Sequence, residues 1–472
     1  MIARRSSLLA VILGGWIVLW LSTSSFAQGT LYTLLTNGPT AKRINIVVLS
    51  EGYTTNQFGQ FLNNATNAVN NLLAAAPYQE YRNYFNAFAI SVASAESGSD
   101  HYTPTTSLVN TYFNSAFDSY GIQQLITIPP NDRDSNSSHG QGKVDSLLQA
   151  LMPEYDLVMM VVNDTQYGGS GGQTFMTSLN VDSAEIVRHE SGHSFGVLTD
   201  EYEYSAPAGY VWAEYPNATV ETNRQQIKWR SWILTNTPLP TPETIEFFSV
   251  VGLFEGAQYL AANWYRPKLE CKMRSIASGT TTPFCDICSE QLVKRIYNLI
   301  RPIDAFLPVA TNFSVYSTQA VAFSVTLLQP LTHNLSVQWF TNGTAITGAT
   351  NSAFNLVPGS LGNGLHALKS VVSDTTSLVK NDPTGLLKAT NTWNLTLSLN
   401  DLALVSAQFL SSNRFRLTVT GAAPQGFVLQ ASTNLVNWTS LTTNVLSGGK
   451  FDYTNSSLTN LSRRFYRTVS PP

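Results

Sequence analysis

The sequence predicts a multidomain chain, with an α/β domain followed by two all-β sandwich domains of Ig or fibronectin type. Three observations carry this prediction. In the first part, β-branched apolar runs alternate with helical periodicity. All 15 glutamates fall between positions 51 and 290, and the last 182 residues contain none. Beyond about residue 305, short Val/Phe/Thr/Leu-rich runs recur between turn signals. Charge divides at the same place. Residues 1–304 carry a net −8 and residues 305–472 a net +5, so the boundary falls near Pro302 to Pro308. The expected segments are 1–27, 28–303, 304–399 and 400–472.

The first segment has the features of an export signal. Arg4 and Arg5 give a positive start, Leu8 to Leu21 is apolar, and Ser25-Phe26-Ala27 offers a cleavage site after Ala27. The mature chain is therefore expected outside the cytoplasm, secreted or periplasmic, where cysteines tend to pair. No later stretch is apolar enough to span a membrane. A net charge of −3 argues against nucleic-acid binding. With 43% hydrophobic residues and only 12% charged, a sizeable core is expected.

Within 28–303, Arg43 to Leu49 reads as a buried strand. Asn56 to Ala74 reads as a helix, with Phe58, Phe61, Leu62, Ala65, Val69 and Leu72 at helical spacing. Tyr155 to Val162 and Thr174 to Leu179 read as strands, flanking a Tyr167-Gly-Gly-Ser-Gly-Gly172 loop. That loop lacks the Lys-Ser/Thr ending of a phosphate loop and precedes a strand, which argues against nucleotide binding. In the last two segments, Asn342-Gly343 and Gly448-Gly449 are expected hairpin turns. Trp339 with Phe354, and Trp438 with Phe465 and Tyr466, are expected core aromatics.

The chemistry concentrates in residues 182–204. Asp182 or Ser183 can start a helix and Gly196 can end it in a left-handed conformation. Between them, His189 and His193 stand four residues apart, about 40° in azimuth and roughly 6 Å along the axis. Both imidazoles can reach one ion. Glu190 lies beside them and can take a proton from an activated water. In a chain with six histidines and 15 glutamates, His-Glu-x-x-His is expected by chance about 0.002 times. A catalytic zinc needs a third protein ligand and one open position. Where metzincin-type proteases place a third His, this chain has Thr199, so Asp200 is the favoured third ligand and Glu201 its rival.

The run HESGHSFGVLTDEY resembles the active-site signature of peptidase family M64, the family that includes bacterial IgA-cleaving metallopeptidases. Arg43 to Thr54, Pro77 to Asn86, Glu96 to Asp100, the Gly loop, Cys271-Lys-Met-Arg-Ser and Phe284-Cys-Asp-Ile-Cys288 also resemble that family. Its members often have Asp where this chain has Glu51. The resemblance covers about residues 30–302. It implies a metzincin-like, secreted zinc endopeptidase acting on protein or peptide, with His189 and His193 as ligands and Glu190 as base. It does not imply IgA itself. One zinc per chain is expected.

Weaker signals accompany these. Met273 is either the methionine beneath the zinc site or an ordinary core residue. Cys271 is expected to form a disulfide with Cys285 or Cys288. A structural zinc is not favoured there, because the next histidine downstream is the distant His333. Asp132 to Asn136 begins like a calcium loop but lacks its Gly and Glu. His139 is expected to be a surface or structural histidine and not a ligand. Tyr202, Tyr204 and Tyr210 are open candidates for an oxyanion donor. The sandwich modules are expected to be spacers, with cell-surface or carbohydrate contact as the functional alternative. A chain ending near Pro302 is accordingly expected to stay active. The rival readings of the whole are a zinc amidase acting on cell-wall or other non-peptide amides, and an inactive binding protein.

Overall fold

The computed structural model describes residues 29–204, 206, 209–275, 281–315, 320–397, 402–411, 414–421, 425–456 and 463–469. The expected signal segment, 1–27, lies outside these residues. No helix among them is long and apolar enough to cross a membrane.

The first part is built on a six-stranded mixed sheet. In chain order its elements are β1 (Gly29–Leu35), β2 (Ile44–Glu51), α1 (Phe58–Leu73), β3 (Phe85–Val92), α2 (Gln141–Leu151), β4 (Leu157–Val162), β5 (Gly169–Ser170), β6 (Thr174–Thr177) and α3 (Ser183–Ser194). A hairpin, β7 (Phe254–Ala257) with β8 (Leu260–Arg266), and helix α4 (Asp286–Leu299) follow. The sheet order is β1-β3-β2-β4-β6-β5. Its four central strands run parallel, with β1 and β5 antiparallel at the edges. Parallel strands covered on both faces should read as continuous apolar runs, and β2 and β4 do. Along β2, Ile44, Ile46 and Val48 enter a core shared with α1, α3 and α4. The intervening Val47 and Leu49 enter a second core with α2. This is the period-2 alternation of a strand.

Strand β6 is not an edge of the sheet, because β5 covers it through Gly169↔Thr177 and Ser170↔Met176. Five residues upstream of β6 were enough to fold back, a pairing that the glycine-rich sequence concealed.

Two resembling motifs turn out to pack on each other for local reasons. Gly52 has φ +72°, and a Cβ there would lie 2.0 Å from the Gly98 carbonyl oxygen. Only glycine allows the 3.1 Å hydrogen bond from the Gly98 amide to the Gly52 carbonyl. Beside it, the buried Glu51 carboxylate accepts the amides of Phe113 and Ser115 at 2.9 Å each. Burial pushes the Glu51 carboxyl above its ordinary range, and these donors partly offset the shift.

Beyond α4, two sheets face each other around Trp339, Trp393, Phe323 and Leu395. Their strands are β9 (Ile303–Leu307), β10 (Asn312–Val315), β11 (Val321–Leu327), β12 (Ser336–Thr341), β13 (Thr344–Ala345), β14 (Ala353–Leu356), β15 (Gly364–Ser373) and β16 (Lys388–Leu397). The orders are β10-β16-β15-β12-β13 and β14-β11-β9. Asn342 and Gly343, with φ of 49° and 83°, form the expected hairpin turn between β12 and β13. Trp339 stacks on Phe354 at 5.3 Å.

A smaller sandwich holds β17 (Ala403–Ser411), β18 (Arg414–Thr420), β19 (Gln425–Ser432), β20 (Thr439–Leu446), β21 (Lys450–Asn455) and β22 (Phe465–Val469). Its orders are β17-β18-β21 and β20-β19-β22. Gly448-Gly449 is therefore not a hairpin turn, because β20 and β21 belong to opposite sheets. Trp438 is not in the core either. Leu417, Val419, Phe427, Leu429 and Leu446 fill it, and Trp438 is half-buried with the Arg467 guanidinium 4.2 Å above its ring.

The first sandwich is not an independent appendage. Leu328 and Leu387 belong to the core of the α/β part. Asp374, with no exposed side-chain surface, accepts hydrogen bonds from Tyr81 (2.8 Å) and Tyr297 (2.6 Å). Its other oxygen lies 2.8 Å from His333 Nε2. Arg43, 3% exposed, makes a two-pronged contact with Asp304 at 2.7 and 2.8 Å. Ending the chain at 302 would strip two buried leucines, about 1.5–3 kcal/mol each. It would also leave a buried arginine without its partner, a loss of about 3–5 kcal/mol. Those losses match a whole domain's stability of about 5–15 kcal/mol. The expectation of an active chain ending near Pro302 is therefore revised. A chain ending at 302 is expected to be unfolded or much less stable, whereas one ending near residue 400 should melt like the full protein. Thermal melts of the two truncations check this.

Candidate metal centre

Helix α3 carries the His-Glu-x-x-His run. Asp182 occupies the N-cap position. At the other end the chain reverses through Val197 (φ 55°), not Gly196. Gly196 is needed for a different reason. A Cβ on it would lie 2.6 Å from the Gly192 carbonyl oxygen and 3.0 Å from both Leu198 and Leu292. A β-branched residue in the left-handed region is strained, and such strain collects at functional sites. The reversal returns the Leu198 carbonyl to His193 and Asp200 to the helix face.

The two imidazoles are oriented by backbone oxygens. His189 Nδ1 is 2.9 Å from the Lys272 carbonyl, and His193 Nδ1 is 2.9 Å from the Leu198 carbonyl. A carbonyl only accepts, so each Nδ1 carries the proton and each Nε2 presents a lone pair. The two Nε2 atoms stand 3.2 Å apart. Asp200 Oδ1 lies 3.1 Å from the first and 3.2 Å from the second, and it is buried without a hydrogen-bond donor. In these neutral tautomers three lone-pair acceptors converge on one point. The corners of a tetrahedron around a zinc with bonds of about 2.0–2.1 Å are about 3.3–3.4 Å apart. The triangle found has nearly those edges, so the residues fit such an ion. His189, Glu190 and His193 also form a group whose ligand atoms lie within 4.8 Å of one another.

Electrostatics point the same way. Burial disfavours the charged form of Asp200, but the facing imidazoles outweigh it and hold the carboxyl far below its ordinary range. Burial likewise opposes charge on His193, yet Asp200 raises its pKa to about 9. The site favours positive charge, which a divalent cation would supply. Burial pushes the Glu190 carboxyl up, and the two imidazoles partly offset this.

Several supporting residues could not be read from the sequence. The β7–β8 turn is built from Gln258 (φ 51°) and Tyr259 (φ 68°). Neither residue is a turn former, so no turn signal existed there. The Gln258 amide donates to the Asp200 carbonyl (3.0 Å) and the Tyr259 amide to the Tyr202 carbonyl (2.9 Å). Tyr259 Oη donates to Asp200 Oδ2. Lys272, 1% exposed, is paired with Glu185 in α3, which fixes the carbonyl that holds His189. The glycine loop lies against the helix. A Cβ at Gly171 would lie 2.6 Å from His193 Cβ, and one at Gly169 would lie 2.5 Å from Ile186. The glycines serve this close approach. Met273 Sδ would lie 2.4 Å from a Cβ on Gly192, so Met273 packs directly beneath the helix.

Among the tyrosines, Tyr202 stacks on His189 at 6.3 Å, and Tyr210 is bonded to Thr199 and Gln258. Tyr204 is largely exposed. Asp134 caps its own turn and contacts His139 at 2.7 Å. Glu201 points away from the histidines and towards the three cysteines, which are free and buried. The expected disulfide is absent among them, and Cys271 Sγ lies 3.6 Å from Cys288 Sγ.

Against known proteins, the chain matches the family described as IgA Peptidase M64 over residues 32–249 and 243–296, more than half its length. No curated protein matches it. Solved structures with some likeness include the FN1–FN3 domains of chicken CNTN1, at 11% identity over 36% of this chain and 60% of that one, with a TM-score of 0.15. This chain thus spans less than two thirds of that structure. Others are a chaperone–tip adhesin complex of CFA/I fimbriae (10% identity, 34% and 93% covered, TM-score 0.13) and an amphioxus IgVJ-C2 molecule (12%, 33% and 98%, 0.14). At such TM-scores none bears on the fold.

Proposed function

The chain belongs to the IgA Peptidase M64 family, and on that premise we propose that it is an exported, zinc-dependent endopeptidase with a metzincin-like catalytic domain. The observation that carries this reading is the convergence of His189 Nε2, His193 Nε2 and the donorless Asp200 Oδ1. These three residues would hold the ion, and Asp200 is preferred to Glu201 because Glu201 faces elsewhere. When bound, zinc supplies Lewis acidity, polarising a peptide carbonyl and easing deprotonation of a water beside it.

The remaining work falls to the protein's own side chains. Glu190 accepts the proton of the attacking water and returns it to the leaving nitrogen. Its burial strengthens it as a base relative to an ordinary carboxylate. The Lys272 and Leu198 carbonyls fix the tautomer and direction of the two imidazoles. Tyr259 holds the second oxygen of Asp200, leaving Oδ1 free to face the histidines. Arg4, Arg5 and the apolar run up to Ala27 support export. The β-sandwich modules are read as spacers, the first of them also bracing the catalytic domain.

Chelation should abolish cleavage of casein-derived peptides, and zinc should restore it. If cleavage survives exhaustive chelation, zinc is not the cofactor. If peptidoglycan fragments are hydrolysed and peptides are not, the amidase reading replaces this one.

A further inference from the structure

We propose that Glu201, Cys271, Cys285 and Cys288 form a second metal site, binding one zinc ion that braces the catalytic centre. The ligand atoms of these four side chains lie within 4.8 Å of one another, and all four residues are buried. Cys271 Sγ and Cys288 Sγ are 3.6 Å apart, and Cys288 Sγ is 3.4 Å from Glu201 Oε1. A disulfide would need about 2.05 Å. A tetrahedral zinc with Zn–S bonds of about 2.3 Å places its corners about 3.8 Å apart. The separations found are close to that edge, and a group this small has room for one ion and not for an iron–sulfur cluster.

Independent observations point to a ligand. Glu201 has no exposed surface, and its Oε2 has no hydrogen-bond partner. An unpaired buried carboxylate oxygen is costly unless something electropositive faces it. Asn217 Nδ2 donates to the other oxygen at 2.9 Å and so fixes the carboxylate's direction, as outer partners of metal ligands do. The Cys285 amide donates to Cys271 Sγ at 3.3 Å, a contact suited to a thiolate. Cys285 occupies the N-cap position of α4 and Cys288 lies in its first turn, where the helix dipole favours anionic sulfur. Three thiols and one carboxylate select a soft, tetrahedral divalent ion, which excludes calcium and magnesium.

The location defines the role. Glu201 adjoins Asp200, and its amide donates to the Met273 carbonyl at 2.8 Å. Cys271 adjoins Lys272, whose carbonyl holds His189. Cys285 and Cys288 anchor α4. One ion would therefore tie together the two segments that position Asp200 and His189. These segments are 70 residues apart in the chain, so a cross-link between them removes much freedom from the unfolded state.

The test uses the full-length chain and reads no activity, so it stands apart from the peptidase proposal. Protein purified without chelator should hold two zinc ions, and Cys288→Ser should hold one. With cobalt in place of zinc, the wild type should show thiolate-to-cobalt charge-transfer absorption in the near ultraviolet. His193→Ala should keep that band and Cys288→Ser should lose it. If Cys288→Ser does not fold, a mercurial titration of the wild type still decides. Modifying the three thiols should release one zinc in proportion, read with a chromogenic chelator. A disulfide in the unreduced intact mass, a cobalt spectrum without the charge-transfer band, iron in place of zinc, or thiol modification that releases no metal would each overturn the site.

Discussion

Glu190→Gln is expected to lower kcat by about 10²–10⁴, the range for a lost general acid–base group, while the catalytic zinc stays bound. Glutamine keeps the size of the side chain and leaves the imidazoles and Asp200 in place. In the proposed mechanism the carboxylate would serve twice, first taking the proton from water and then delivering it to the leaving amine, so the upper end is expected. The loss belongs in kcat, since the interaction matters in the transition state and not in ground-state binding. Turnover of a fluorogenic peptide together with zinc content, measured on one sample, checks it. Near-normal turnover removes Glu190 from the chemistry. Loss of the metal instead makes it a ligand or an essential support.

Asp200→Ala is expected to weaken the catalytic metal by more than the ~10–100-fold typical of losing an outer partner of a ligand. The substitution removes a buried oxygen that lies 3.1 and 3.2 Å from the two Nε2 atoms. It also leaves Tyr259 without the acceptor of its hydroxyl hydrogen bond. The zinc dependence of turnover reads this directly, with half-activation moving to higher free zinc. Glu201→Ala should shift that midpoint much less, since its carboxylate faces the cysteines. A larger shift in Glu201→Ala than in Asp200→Ala would reverse the ligand assignment.

The parts of this molecule legible in the sequence are those with local periodicity. The runs that became β2, α1, β4 and β6 were readable within about two residues of their ends, because burial imposes a period of 2 or 3.6 on the apolar residues. The pair His189 and His193 was readable because helical geometry alone brings them together. What the sequence hid is long-range. Nothing local to Glu201 connects it with Cys271 or Cys288, so three cysteines without a nearby histidine resembled a disulfide. Tyr259 reaches Asp200 only through a turn made of two residues that rarely form one. Strand β5 covers β6 through two residues, too short a pairing to leave a pattern. The contacts of Asp374 with Tyr81 and Tyr297 link residues 293 and 77 positions apart, so the separation expected from charge and glutamate content gave no sign of a shared core.

The central claim is that this chain cuts internal peptide bonds with a metal held by His189, His193 and Asp200. Mass spectrometry of a proteome-derived peptide library after incubation with the purified chain tests it most directly. New termini at internal bonds are predicted, disappearing on chelation, returning with zinc and falling about a hundredfold or more with Glu190→Gln. An intact library from zinc-loaded, folded protein, or equal cleavage by wild type and Glu190→Gln, would contradict it.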